Sequence, residues 1–556
     1  MATIPAPLSF SSVRFLLEDK SQIILPESAV TFGALLYSSN GPVNDVYALA
    51  DEDSLAFLYG TPNTANFNEW FQIARAFKYR TDAIGGTANI LRVIGEDSLN
   101  GALAVTDTGI VNEDDLTTML INNDDEALDP TVVFDTNTVA NGGDDTETKI
   151  KFFSKYPTEA KYKIALATAD DFATADIDTG VSFANTFNNV PTGTEVAIAI
   201  IDEDDEVQEK YIVDMVNGNV DGFGDSNYIE TVINNKSSYI LAYVNGDNEE
   251  TVSSFEVTAL SKGLVNAPTS GDYIEALGYF EDIESVDINY LIGNHNCISE
   301  MITLCETRLN TQMIWTSKSS EIVGVAPATI VQDLIEYTST TMNRNTTYAE
   351  YFGNVALVND TYNDKLRWVE LAGDMIGLRI LKNLNGNPWE ASAGLLNGQL
   401  KDVVKLGWNP SAAYMNMMGK NKINPIISKK GQGIVSWGIR NYTSVESSLT
   451  DSTTRGLAIF IWRASKPALE TQLFQINDDI TRNNIKSRID QFMETVQSNR
   501  GVYEFLTICD SFNNTPQIID QGQLLVELRI KPSRIAKEIL FSLQLFSSGA
   551  SLVDVA

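Results

Sequence analysis

The strongest constraint on the fold is a repeated change in hydrophobic spacing. Between residues 26 and 95, and again between 236 and 380, strand-like apolar runs alternate with segments of helical period. Residues 29–37 read as a strand. In 68–79, Trp70, Phe71, Ile73, Ala74 and Phe77 recur at helical spacing, and 90–94 reads as a buried strand closed by Gly95. Further on, 287–292, 311–315 and 355–357 read as strands, and 299–309 and 366–378 as helices. This alternation is the pattern of a layered α/β body. No strand is followed by G-x-G-x-x-G or a P-loop, so the alternation carries no nucleotide signature.

The stretch between the two blocks differs. Residues 96–235 hold acidic clusters at 113–115, 124–126, 144–145 and 202–206, separated by β-like runs at 131–134, 161–167 and 196–201. We read it as an inserted, β-rich, outward-facing domain. Asp221, Asp225 and Asn227 sit near two glycines but lack EF-hand spacing, so solvated turns are favoured over a calcium site. No metal site and no cofactor are assigned.

Residues 381–538 are read as an α/β C-terminal domain. In 482–497, Ile485, Ile489, Phe492, Met493 and Val496 form one apolar stripe. A strand is expected at 502–509, then a turn at 513–516. The run 526–531 alternates, with Val526, Leu528 and Ile530 on one face. Met415, Met417 and Met418, with Trp408 and Tyr414, are read as core packing rather than a groove. Each end of the chain resembles an arm. Residues 1–25 carry short apolar pieces between Pro5, Pro7 and Pro26. Residues 539–556 alternate through Phe541, Leu543 and Leu545. The fold class is therefore multidomain α+β or α/β.

A length of 556 residues suggests three or four domains at ~150 residues each. The net charge of −35 disfavours direct contact with nucleic acid. That charge is unevenly spread. Residues 401–556 hold 18 Lys and Arg against 14 Asp and Glu, a balance of +4; residues 1–400 hold 21 against 60, a balance of −39. His295 is the lone histidine, and the odd set Cys297, Cys305 and Cys509 has no C-x-x-C, so neither a zinc knuckle nor a disulfide framework is expected. No apolar run has membrane-spanning length, and the first residues lack the pattern of a signal peptide, so we expect a protein made and kept in a cytosol, without membrane insertion.

Several segments, in order, resemble the tail sheath proteins of contractile-tailed, myovirus-type bacteriophages. Cys509-Asp-Ser-Phe-Asn-Asn-Thr-Pro-Gln-Ile-Ile-Asp520, followed by Leu524 to Ile530 and Lys531-Pro532, resembles the family's "CD…NNTP…ID…L…I.KP" ending. Ile423-Asn-Pro425, Gly431-Gln-Gly433 and Val435-Ser-Trp-Gly438 are similar to its "INPI…G.G…WG" segment. Phe474-Gln-Ile-Asn-Asp478 with Thr481-Arg482 resembles "FE.ND..TR", with Gln475 in place of Glu. Leu371-Ala-Gly-Asp-Met-Ile-Gly377 and Pro388-Trp389 resemble "SGD.AG…W". A double-Arg element is reduced to Arg463, and residues 227–240 fit more loosely.

The resemblance implies a structural, non-enzymatic subunit. Its copies would stack as hexameric rings around a tail tube protein and form a helical sheath, in contact with baseplate and tail terminator proteins. The sheath would be assembled in the host cytoplasm and end in the virion tail. Contraction would drive the tube through the host envelope to deliver the genome. It also implies exchanged strands: Leu8, Phe10, Val13 and Phe15 from one end and Phe541, Leu543 and Leu545 from the other, with Val526, Leu528 and Ile530 in the resident strand. About 15 extended residues span roughly 50 Å, enough to reach a neighbour. Tube-facing candidates are Lys420, Lys422, Lys429, Lys430 and Arg482. The alternatives are the sheath of a bacteriocin, secretion system or extracellular injection machine, a surface-layer protein, or a carboxylate-dependent hydrolase using Asp510 and Asp520.

Overall fold

The computed structural model describes residues 30–79, 87–106, 109–111, 116, 148–159, 162–178, 180–202, 205–245 and 252–541. The chain divides into two compact units. One comprises residues 28–386 and 392–452, and the other comprises 387–391 and the chain from Thr453 onward.

The first unit is built on a seven-stranded sheet. Its spatial order is Ile423–Asn424, Ala349–Phe352, Gln312–Thr316, Tyr290–Ile292, Thr31–Leu36, Thr87–Arg92 and Val46–Leu49. All pairings are parallel except the last. Strands from 26–95 and from 236–380 thus share one sheet. Residues 392–452 fold with it, because Ile423–Asn424 extends the sheet edge and Lys405–Leu406 pairs with Val355–Asp360.

Alternation sends side chains to two cores, as both faces of a parallel sheet must be covered. Phe32, Ala34 and Leu36 join one core with helices Phe67–Phe77 and Ala372–Asn385; Leu35 joins the other, with Ile298–Arg308 and Pro327–Glu336. Trp315 stacks on Tyr351 in that second core at 5.0 Å. Met418 is buried there with Trp408, whereas Met417 is largely exposed.

Helices Phe67–Phe77 and Ala372–Asn385 approach very closely. A Cβ on Gly373 would lie 1.7 Å from the Gln72 carbonyl oxygen, and one on Gly377 would lie 2.4 Å from the Tyr79 ring. Between these glycines, Asp374 is fully buried and accepts Arg75 Nε and Nη2 at 2.5 and 2.6 Å and the Tyr79 hydroxyl at 2.7 Å. Arg75 Nη2 also donates to the Lys401 carbonyl at 2.8 Å. The Gly-Asp-x-x-Gly spacing thus joins a steric requirement to a charge-assisted clamp.

The segment 366–378 is not one helix. It splits at Leu371 into strand Lys365–Glu370, antiparallel to Val355–Asp360, and helix Ala372–Asn385. The hairpin turn decides this. Asp360 accepts the backbone N–H of Tyr362 and Asn363 and pairs with Arg367 at 2.5 Å.

The β-rich region leaves the body at Gly95, whose N–H donates to Asn266 O at 2.9 Å, and is closed by reciprocal bonds between Leu99 and Leu264. It therefore extends past residue 235. Four strands lie in the order Val207–Asp214, Glu195–Ile201, Lys163–Thr168, Phe255–Ala259, and three in the order Ile240–Val244, Thr148–Ser154, Ala102–Thr106. One core takes Phe152 and Leu103 from the smaller sheet and Ile198 and Leu166 from the larger. Asp221 is a turn residue: its carboxylate accepts the N–H of Phe223 and Asp225 at 2.8 and 3.0 Å, which lowers its pKa. Among the described residues, no cluster of three or more His, Cys, Asp or Glu could hold a metal ion, and no helix is long and apolar enough to cross a membrane.

The second unit packs helices Ser452–Glu470 and Asp479–Ser498 with a strand pair, Val502–Ile508 and Glu527–Pro532. The stripe Ile485, Ile489, Phe492, Met493 and Val496 forms its core with Trp389 and Leu457. Asp478 caps the second helix by accepting Thr481 N–H at 2.8 Å.

Gly373→Ala forces the clamped helices apart. We expect a stability loss of about 1–3 kcal/mol, the usual range for overpacking, seen as a lower urea midpoint with an unchanged m value. An unchanged midpoint would show that the close approach is not needed.

Candidate functional site

The strand pair of the second unit is the feature best suited to binding another chain. A two-stranded sheet is marginal alone and leaves an unpaired edge on each side. Val502–Ile508 and Glu527–Pro532 run antiparallel, with Phe505 opposite Ile530 and Thr507 opposite Leu528. Among the described residues neither outer edge pairs with a further strand. One face of the pair rests on the helix stripe, which supplies the core that two strands lack.

Val526, Leu528 and Ile530 all pack half-buried on that core. Their side chains are committed within the unit, so a second chain would meet main-chain edges instead. The opposite face presents Tyr503, Leu506, Arg529 and Lys531, all exposed. Phe541 is 85 % exposed; Leu8, Phe10, Val13, Phe15, Leu543 and Leu545 lie outside the described residues.

The connection between the strands explains the Cys509–Pro516 motif. Asn514 is buried and acts from both ends of its amide: Nδ2 donates to Leu525 O at 2.9 Å and Oδ1 accepts Leu525 N–H at 2.7 Å. Asn513 Nδ2 donates to Ile508 O and Leu525 O at 2.9 and 3.1 Å, while its Oδ1 accepts Asp510 N–H at 3.0 Å. Asp510 Oδ1 in turn accepts Phe512 N–H at 2.9 Å. The two asparagines replace ladder bonds where the chain leaves the sheet. Asp510 thus serves the turn.

The five cations selected from sequence fall in both units. Arg482 lies in the second unit, is buried, and pairs with Asp479 at 2.6 Å and Asn477 Oδ1 at 2.7 Å. The other four lie in the first unit. Lys420 is exposed at the end of helix Ala412–Lys420. Lys422 donates to Arg344 O at 2.7 Å, and burial lowers its pKa. Lys429 sits 3.6 Å from the Trp437 ring centre, and Lys430 is exposed beside it.

The lone histidine is also placed. His295 Nε2 lies 3.2 Å from Glu370, which accepts Gln72 Nε2 at 3.2 Å. Nearby Glu69 accepts Tyr37 N–H, the Tyr273 hydroxyl and Asn294 Nδ2 at 2.7, 2.8 and 2.6 Å; burial raises its pKa. Tyr37, Asn294 and His295 follow the C-terminal ends of Thr31–Leu36 and Tyr290–Ile292, where the strand order reverses, the usual ligand position in such sheets.

Residues 444–546, which include the open-edged pair, match the family of the phage tail sheath C-terminal domain. The chain carries a sheath domain. The tail sheath protein of Vibrio phage KVP40 is 27% identical over 431 residues, covering 71% of this chain and 63% of that protein. The tail sheath protein of Enterobacteria phage T4 is 27% identical over 385 residues, covering 66% of this chain and 58% of that protein. The chain thus spans roughly three fifths of the length of these curated relatives. A crystal structure of a sheath tail protein from Listeria innocua superposes with a TM-score of 0.53 at 8% identity, over 91% of this chain and 95% of that one. The mixed α/β fold is that of sheath proteins.

In this sheath domain, Asn514→Ala removes the side-chain partner of the Leu525 N–H and leaves its C=O with Asn513 Nδ2. We expect a loss of about 1–3 kcal/mol and faster amide exchange at residues 524–528, read by thermal melting and hydrogen exchange. Unchanged stability would remove the asparagine from this role.

Proposed function

We propose that the chain is the sheath subunit of a contractile phage tail. Copies stack as hexameric rings around a tail tube, held by exchanged strands, and contraction drives the tube through the host envelope. No chemical step is assigned to it. The supporting observation is the strand pair whose two edges are open among the described residues, seated within the segment that matches the family of the phage tail sheath C-terminal domain.

A strand added at an open edge gains a main-chain ladder whatever its side chains are. The arms bearing Leu8, Phe10, Val13 and Phe15, and Phe541, Leu543 and Leu545, supply such strands, with apolar side chains at alternate positions. Ordering each arm residue costs about 1–2 kcal/mol, so the ladder must come with burial of those side chains. An extended arm hinges at its base while its ladder stays intact, which suits large rigid-body rotations. Within the lattice the arm residues are separate from the α/β body, and the partners are other copies, the tube, and the baseplate and terminator proteins.

The charge split supports a basic inner face and an acidic exterior. In this reading the tube contact rests on Lys420, with Lys422 beside it. Screened surface contacts are weak, which suits a tube that must slide free.

Deleting residues 1–20 or 539–556 is expected to leave the thermal transition intact and to abolish tubes or rings in negative-stain microscopy. Normal tubes from both truncations would overturn strand exchange, and a full-length chain that stays monomeric at every concentration would overturn the sheath reading.

A further inference from the structure

The inserted β-rich domain and the α/β body keep separate cores. Among the described residues, the apolar clusters of the insert draw only on 102–260, and the two cores of the large sheet draw on none of those residues. Domains joined without a shared apolar interface are expected to swing relative to each other. Here polar bonds cross the joint instead.

The buried one among them is made by Arg92, the last residue of strand Thr87–Arg92, which is 2 % exposed. Its Nε donates to Ser38 O at 3.0 Å and its Nη1 to Gly41 O, both in the body. Its Nη2 donates to Pro157 O in the insert at 2.7 Å. These three partners are backbone carbonyls, with no carboxylate among them, and burial lowers the guanidinium pKa to about 9. A buried cation without a carboxylate is a poor source of stability. A planar fork held by three carbonyls does something else: it fixes distance and angle together.

Both sides of the clamp are stiff. In the body, Ser38 Oγ donates to Tyr59 O at 3.0 Å, which ties the 38–41 loop to the end of helix Glu52–Tyr59. In the insert, Ser154 N–H donates to Gly101 O at 2.7 Å and Ser154 Oγ to Tyr156 O at 2.7 Å. A Cβ on Gly263 would collide with the Thr158 carbonyl oxygen, so the 155–158 segment is wedged at the base of the insert. Further bonds across the joint lie at its half-buried rim: Asn40 Nδ2 donates to the Tyr162 hydroxyl at 3.2 Å, and the Tyr47 and Tyr156 side chains bond to each other.

We propose that Arg92 is a positioning residue whose guanidinium pins the inserted β-rich domain to the α/β body, so that the two turn as one piece. The pin replaces the apolar interface that the joint lacks. It rests on the fold alone and stands or falls independently of the sheath reading. In a lattice whose subunits rotate, it would carry the acidic domain along as a rigid extension of the body.

Distances between spin labels, measured by pulsed electron resonance on the full chain, test this. Thr231→Cys labels the insert, on helix Ile229–Lys236. It is paired in turn with Phe57→Cys and Gln332→Cys, on helices Glu52–Tyr59 and Pro327–Glu336, which cover opposite faces of the body sheet. Thr231→Cys with Val181→Cys is the control pair inside the insert. All four positions are exposed. Burial pushes the thiols of Cys297 and Cys305 up to about 12 and raises that of Cys509, so the native cysteines stay unlabelled. Labelled chain is diluted into unlabelled chain, so that only distances within one chain are read.

With Arg92 in place, both cross-joint pairs should give one narrow peak. In Arg92→Met that single peak should be lost to a broad or split distribution, while the control pair stays narrow and the chain still melts cooperatively. Arg92→Lys keeps the charge but not the fork, and should broaden the cross-joint peaks to a lesser degree. It also carries the test if Arg92→Met fails to fold. Broad cross-joint distances with Arg92 present, or unchanged peaks in a folded Arg92→Met, would overturn the pin. Broadening of the control pair, or failure of both variants to fold, would make Arg92 a core residue instead of a pin and would equally overturn the inference.

Discussion

The proposed function rests on two strands packed against one helix. A pair of strands satisfies only its inner backbone groups, and its outer N–H and C=O rows remain available. Natural proteins usually cover, shorten or charge such edges. Here the pair is kept in place by the stripe Ile485, Ile489, Phe492, Met493 and Val496 and by the paired asparagines that close its connection. Among the described residues the unit thus holds two edges at fixed geometry, which is what the proposed strand exchange requires.

The larger unit supplies a stiff body. Its sheet is covered on both faces, and buried charges tie its layers together. Arg75 and Asp374 clamp two helices that glycines allow to touch, and Arg379 donates to both carboxylate oxygens of fully buried Glu350 at 2.7 Å and to Ser452. Breaking one partner of such a pair leaves an uncompensated buried charge, so these contacts resist deformation more than their net stabilisation suggests. Rigid bodies and extended links are complementary requirements in a lattice that changes shape.

Much of this was legible in the sequence, for identifiable reasons. Long periodic segments such as Asp479–Ser498 and the strands Thr31–Leu36 and Glu195–Ile201 were found because burial on one face, or on both, writes its period into the residues. The segment at 366–378 reads as one helix because Trp368 and Val369 in a strand happen to continue the apolar spacing of the helix that follows; the Asp360 turn that pairs Lys365–Glu370 with the preceding strand is a tertiary signal. Strand Ile423–Asn424 is too short to show a period, yet it carries residues 392–452 into the α/β unit. The alternation of Val526, Leu528 and Ile530 reports the face turned toward the helix and says nothing about the free edge. Arg482 reads as a cation, but charge in a sequence does not reveal that Asp479 pairs with it and that it donates to Asn477 Oδ1.

Amide hydrogen exchange on the strand pair, compared between dispersed and polymerised protein, tests the central claim most directly. In dispersed protein the outward-facing amides of residues 502–508 and 527–531 should exchange fast, and the inward-facing ones slowly. Polymerisation should then protect the outward set and leave the inward set unchanged. Outward amides that stay equally fast in fully formed polymers would contradict the account, because the edges would then hold no strand from a neighbour.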